Sequence, residues 1–269
     1  MKWLIQWMGS PLGWGWVAGM LAALATHGVE AAILSPGDTV PNTSGDVFTW
    51  SIGASGSTSA SWETFEPTGG SFPGGIGPGQ TSDADAAFST LAAAHVLTFD
   101  SFATVISSGN AYGFNFGDSA PFQPAFIHDA FLTIRPETLA GGFTRAVVQW
   151  QTLGTELLPD EFLLSNDPGS AGTVSPDLIV ETERGGSGSS FGGALVSGLA
   201  IWDNLDAGIG EYRVDFLAAG NHSSLDAIRI DTFTAATPFP PVVAVPEPST
   251  ALALVFATTT SVVTRRRRR

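Results

Sequence analysis

Apolar and polar residues alternate in short runs along the middle of the chain, and clusters of Gly, Pro, Asn and Asp separate the runs. Phe48, Trp50 and Ile52 interleave with Val47, Thr49 and Ser51, and Val148 and Trp150 interleave with Gln149 and Gln151. Tyr212, Val214 and Phe216 alternate with Arg213 and Asp215, and Ile228 and Ile230 with Arg229 and Asp231. A period of two with one polar face predicts half-buried strands in antiparallel sheets. Weaker runs predict strands over Val96–Phe99, Tyr112–Phe116, Phe126–Ile134, Phe162–Ser165, Leu178–Thr182 and Leu195–Trp202. About nine or ten strands in one domain point to an all-β fold, an antiparallel two-sheet sandwich of jelly-roll type.

Helical periodicity is nearly absent. The exception is Ser82–Ala94, where Ser82 can cap, Asp85 follows three residues later and alanines come after, so a short helix is expected there. Pro67–Gln80, with six glycines and three prolines, and the Gly/Ser tract Arg184–Gly193 read as mobile surface loops. Phe233–Val245 reads as a proline-bearing linker.

The two ends of the 269-residue chain differ from its middle. Lys2, an apolar run from Val17 to Ala25, and Val29-Glu30-Ala31 follow in the order of a secretory signal peptide cut after Ala31. The apolar run is shorter than the roughly 20 residues of a spanning helix. At the other end stand Pro246-Glu247-Pro248, a 13-residue segment Ala251–Val263, and five arginines, Arg265, Arg266, Arg267, Arg268 and Arg269. The prolines impose extended backbone. The apolar segment is short for a full span, and the arginines favour the cytoplasmic side. Such a tail suits transient membrane association better than permanent anchoring. The organisation expected is a signal peptide (1–31), a β-sandwich ectodomain (32–232), a linker (233–245) and a tail (246–269).

At these tail residues the chain resembles the Pro-Glu-Pro C-terminal sorting family (PEP-CTERM proteins). The triplet, the apolar stretch and the basic cluster are all present in order, although Thr258-Thr259-Thr260-Ser261 interrupts the apolar part. The resemblance implies processing by a membrane-embedded exosortase-type enzyme, after signal peptidase has acted at the other end. It also implies a cell-surface or extracellular, often matrix-associated, location in a Gram-negative-type bacterium, where an exopolysaccharide is a natural neighbour. The segments Gln149–Glu156 and Ser223–Thr232 resemble ectodomains that precede this tail in planctomycete-like bacteria. That likeness implies the sandwich and adds no reaction.

Without the two end segments, residues 32–245 carry 23 acidic residues against Arg135, Arg145, Arg184, Arg213 and Arg229. A domain this acidic repels nucleic acid and anionic lipid. It has no cysteine, so neither disulfides nor thiol chemistry contribute. Stability must come from the core, which 18 Phe and eight Trp in the full chain supply.

The chemistry-bearing residues are scattered. Gly188-Ser189-Ser190-Phe191-Gly192 fits the nucleophile-elbow pattern, with Asp203, Asp206 or Asp215 and then His222 behind it, but no helical pattern follows the serine. His95, His128 and His222 show no metal-ligand spacing and read as surface or loop histidines. Carboxylates cluster at Asp83/Asp85, Glu156/Asp160/Glu161, Asp203/Asp206 and near Asp167/Asp177, and a structural calcium ion at Asp83, Asp85, Asp203 or Asp206 is one expectation. Trp50 and Trp150 fall on apolar faces, whereas Trp62 and Trp202, beside polar residues, are the tryptophans to expect at a sugar-binding surface. A non-catalytic surface or matrix protein with no required cofactor is therefore expected. A carbohydrate-binding module and an extracellular hydrolase stand as alternatives.

Overall fold

Three long strands set the architecture, and each is long because it is buried along much of its length. They are β10 (Phe143–Gly154), β14 (Ala194–Asp206) and β16 (Ser223–Ala235), and β10 lies between the other two. The computed structural model describes residues 33–44, 46–66, 74–76, 79–88, 95–99, 103–105, 110–114, 130–154, 156–166, 173–186, 194–217 and 223–245. Before β10 come β1 (Thr43–Ser44), β2 (Ser57–Trp62), β3 (Gly74–Ile76), β4 (Gln80–Ser82) and β5 (Ala86–Phe88). They are followed by β6 (Val96–Phe99), β7 (Ala103–Val105), β8 (Ala111–Phe114) and β9 (Ala130–Ile134). The remaining strands are β11 (Leu163–Ser165), β12 (Thr173–Val174), β13 (Leu178–Gly186), β15 (Tyr212–Phe216) and β17 (Val243–Ala244).

Every pairing is antiparallel among the described residues. The larger sheet has nine strands in the order β13-β14-β10-β16-β8-β7-β3, with β2 pairing both β16 and β5. One edge of β16 serves two partners in tandem: Ser223–Leu225 pair with β8 and Ile228–Phe233 with β2. The smaller sheet runs β12-β11-β15-β9-β6-β4, and β1 with β17 forms a separate ribbon. The fold is all-β, as the alternation predicts.

Alternation also explains the core. Ala146, Val148 and Trp150 of β10, Ala200 and Trp202 of β14, and Ile228 and Ile230 of β16 belong to one buried cluster. Leu97 and Phe99 of β6, Leu132 and Ile134 of β9, and Tyr212, Val214 and Phe216 of β15 complete it from the smaller sheet. The intervening residues of the large sheet are buried too. Val147, Leu199, Ile201 and Val180 form a second cluster with Val40, Val47, Phe48 and Trp50. Burial on both faces is why β14 reads as an almost continuous apolar run up to Trp202, and it buries Thr144, Arg145 and Gln149 of β10 as well.

Several expectations change. Val47–Ile52 forms turns and bends, not a strand, and packs as an arm on the outer face of the large sheet, with Trp50 stacked on Phe233 at 5.3 Å. The expected helix is not found over its described part: Ser82 ends β4 and Ala86–Phe88 is strand β5, while 89–94 lie outside the described residues. Sheet pairing with β2 outweighs the weak helix preference of so short an alanine stretch. Gly74–Ile76 pairs with β7 inside the expected loop, and β13 continues to Gly186 into the other. The strand β2, Ser-Thr-Ser-Ala-Ser-Trp, has no aliphatic alternation to announce it and forms because β16 and β5 pair with it. A single 3-10 turn, Pro159–Glu161, is the helical element among the described residues.

The expected linker is also structured. Phe233–Ala235 completes β16, Phe239 is buried, Val242 packs against the second cluster, and Val243–Ala244 is β17.

Gly198 shows how tightly the first cluster is built. It faces Trp150 across the β10–β14 pair, and a Cβ there would stand 2.5 Å from the indole Cζ2. Trp150 in turn stacks on Phe162 at 4.4 Å, so it has no room to retreat. Gly198→Ala is expected to destabilise the domain by about 1–3 kcal/mol through overpacking. Combining it with Trp150→Phe should cost less than the sum of the two single changes. Urea unfolding of the four proteins measures this, and strict additivity would show that the contact does not govern the site.

Candidate functional site

The described residue with the most concentrated polar chemistry is Arg145, on the outer face of β10. Its side chain has no exposure (0 %), yet all five guanidinium donors are satisfied. Nε bonds Asp203 Oδ1, and one Nη donates to Asp203 Oδ2 at 3.0 Å and to Pro240 O at 2.7 Å. The other Nη donates to Asp46 O and Val47 O, both at 2.9 Å. The Phe239 ring lies 4.9 Å from the guanidinium carbon. One side chain thus ties the N-terminal arm, two central strands and the C-terminal segment together.

Local backbone geometry makes this possible. Thr144 pairs with Leu205 and Ala146 with Trp202, so Arg145 faces two residues, Asp203 and Asn204, in a β-bulge. Asn204 takes the left-handed conformation, φ 57°, which Asn tolerates better than most residues. Its Oδ1 accepts from Phe239 N at 2.7 Å and its Nδ2 donates to Phe239 O at 3.5 Å. Nearby, Gln149 clasps Leu34 by both backbone groups, at 2.8 and 2.7 Å, and Arg229 pairs with buried Asp231. Burial raises the Asp231 pKa, while Arg229 and Gln149 pull it down. The polar face predicted for these strands is therefore a docking face for the arm around residues 34–50 and for the segment around 239–242.

The other expected sites lie elsewhere. Trp62 and Trp202 are both 0 % exposed, so neither offers a stacking surface, contrary to expectation. Their indole N–H groups donate inward, to Ser82 O at 3.1 Å and Val174 O at 3.0 Å, which lets a polar-flanked Trp sit in the core. Asp203 is committed to Arg145, and Asp206 accepts from Gly208 N at 2.8 Å in the following turn. Asp85 closes the turn after β2 by accepting from the Glu63 and Thr64 N–H groups, the latter at 2.7 Å, and exposed Asp83 lies two residues before it. The fold does not join the two expected calcium pairs, and among the described residues no group of three or more His, Asp or Glu side chains is placed to hold a metal. Glu156 is paired with Arg184, whose guanidinium lowers its pKa.

Of the hydrolase-like constellation, Ser190 and His222 lie outside the described residues, and Asp215 is paired with Arg213. His128, Asp167, Ala31, Pro246, Glu247, Pro248 and Arg265–Arg269 also lie outside them. Sequence reasoning missed Arg145, Gln149 and Asn204. The available signal was a cation just before the apolar run Ala146–Val148, and a matching Asp-Asn just past Trp202.

His95, expected at the surface or in a loop, is buried, at 4 % exposure. Its Nδ1 accepts from Arg135 N at 3.0 Å, leaving Nε2 to donate to Thr58 Oγ1 at 2.8 Å. Thr58 in turn contacts Thr232 Oγ1 at 2.6 Å. Burial, reinforced by the Arg135 charge, lowers the His95 pKa from 6.5 to about 4.

Two outcomes follow from these networks. Arg145→Ala leaves the Asp203 carboxylate nearly buried without its cation, and about 3–5 kcal/mol of stability should be lost in denaturant melts. A loss under 1 kcal/mol would mean that Arg145 is not the anchor. His95 is neutral in the native state, whereas the unfolded chain takes up a proton near pH 6.5. Its contribution is thus complete above pH 6.5 and is lost as pH falls toward about 4, by roughly 3 kcal/mol. His95→Leu should flatten that part of the stability–pH curve, and a variant curve parallel to wild type between pH 6.5 and 4 would contradict the assignment. No protein-family model, curated protein or solved structure shows a significant match to this chain.

Proposed function

We propose that this chain is an exported, non-catalytic protein of the cell surface or extracellular matrix, processed at its C-terminal tail by an exosortase-type membrane enzyme. The carrying observation is the ordered tail: Pro246-Glu247-Pro248, the apolar segment Ala251–Val263 and Arg265–Arg269. Each part has a physical role. The triplet presents extended backbone, the short apolar segment holds the tail in the bilayer transiently, and the arginines keep its end on the cytoplasmic side. The signal-like segment ending at Ala31 accounts for export.

In this reading the ectodomain is a two-layer sandwich of jelly-roll type, since both sheets contribute side chains to one core cluster. The absence of cysteine fits a domain that relies on core packing and not on disulfides. The strongly acidic composition favours a soluble, repulsive surface over binding to nucleic acid. Burial of Trp62 and Trp202 removes the aromatic platform that a carbohydrate-binding reading would have used.

Glu247→Ala, or deletion of Arg265–Arg269, is expected to leave full-length precursor in the membrane fraction of the producing cell. Wild-type mature mass and surface delivery in both variants would refute the sorting assignment.

A further inference from the structure

The residues just before the Pro-Glu-Pro triplet are held by the domain itself. Val245 N donates to Asn42 O at 2.7 Å, Ala244 pairs with Thr43, and Val243 with Ser44. Ser44 Oγ also donates to Val243 O at 3.3 Å. The next residue is Pro246. An enzyme that takes a peptide in an extended cleft binds its backbone N–H and C=O groups as an added strand. Here Val245 N and Val243 O are already engaged, with Asn42 O and the Ser44 hydroxyl.

The grip is uneven. Its root is firm: Phe239 is buried and held by Asn204, Pro240 O accepts from Arg145, and Val242 packs on the second cluster. Its tip is a two-residue ribbon whose β17 side chains are exposed, and Val243 is 56 % exposed. Isolated two-stranded pairing is marginal in water. The opposing strand is rooted as well, through buried Val40, whose carbonyl accepts from Thr43 Oγ1 at 3.0 Å. The tip can therefore open while both roots stay docked. Opening frees residues 243–245, a tether of about 10 Å when extended.

We propose that the β1–β17 ribbon is a latch on the exit toward residues 246–248, which must open before an extended-cleft enzyme can engage the chain there. As a regulatory contact on the sorting tail, this rests on the function proposed above. The closed ribbon is the resting state of the folded domain, and its opening frequency sets how often the tail becomes available.

The chain has no cysteine, so Thr43→Cys/Ala244→Cys introduces a pair that can bond within the chain only to itself. The full chain bearing it is treated with proteinase K, oxidised and reduced, and cuts within 241–248 are followed by mass spectrometry after reduction. The oxidised form should be cut there at least tenfold more slowly than the reduced form of the same variant. Ser44→Pro, which weakens the ribbon from the β1 side, should be cut there at least threefold faster than wild type. Equal rates for the oxidised and reduced forms, or no acceleration in Ser44→Pro, overturn the latch. The two readings separate cleanly. If Glu247→Ala matures normally while the oxidised pair resists proteinase K, the sorting assignment fails and the closed exit stands. If Glu247→Ala blocks maturation while the oxidised pair is cut freely, the latch fails and the sorting assignment stands.

Discussion

A single buried guanidinium holds the two ends of this domain against its largest sheet. Arg145 has no solvent around it, so each of its donors must find an acceptor inside the protein. Two acceptors come from Asp203, two from the N-terminal arm and one from the C-terminal segment. None of these groups is close in sequence to Arg145. The β-bulge at Asp203–Asn204 is what turns the carboxylate toward the cation, and the left-handed Asn204 then secures Phe239. Bulge, ion pair and docked segment form one unit, and the outer face of the large sheet is closed by it.

That closure explains how an acidic chain without disulfides keeps a sheet buried on both sides. Each of the five arginines between residues 32 and 245 has a carboxylate partner: Glu211, Asp203, Glu156 with Glu181, Asp215 and Asp231. The exposed pairs contribute little, because solvent screens them. The two with buried partners, Arg145–Asp203 and Arg229–Asp231, lie on the face where the N-terminal arm and the C-terminal segment dock. The scarce positive charge is spent where burial makes it matter.

The legible part of this fold was the alternation of β10, β15 and β16, because one face of each strand is filled by large apolar side chains. Val96–Phe99 was legible to its ends. Short strands such as β2 and β3 were not, since Ser, Thr and Gly carry no amphipathic signal and pair only because a neighbour presents an open edge. Val47, Phe48 and Trp50 have the composition of a strand and pack as an arm, which periodicity alone does not distinguish. The tryptophan assignments failed for a related reason. Flanking Ser61, Glu63 and Asp203 suggested exposure, but in a strand the neighbours of a residue point the opposite way, so polar flanks are compatible with a fully buried indole. Arg145 was hidden by the same logic: nothing near it in sequence discloses partners 58 and about 95 residues away.

The position of β16 has a temporal consequence. It contributes residues 223–235, yet it lies in the interior of the nine-stranded sheet, with β10 on one side and β2 and β8 on the other. A chain emerging N-terminus first from a ribosome or a translocation pore presents β2, β8 and β10 long before the strand that joins them exists outside. Until then those edges are open and the apolar faces beneath them uncovered, the condition in which sheet proteins associate wrongly. Native pairing is dominated by contacts distant in sequence, which makes folding slow as well as late. Until β16 joins these edges, the surplus of carboxylates works against their association with other copies, because like-charged chains repel one another.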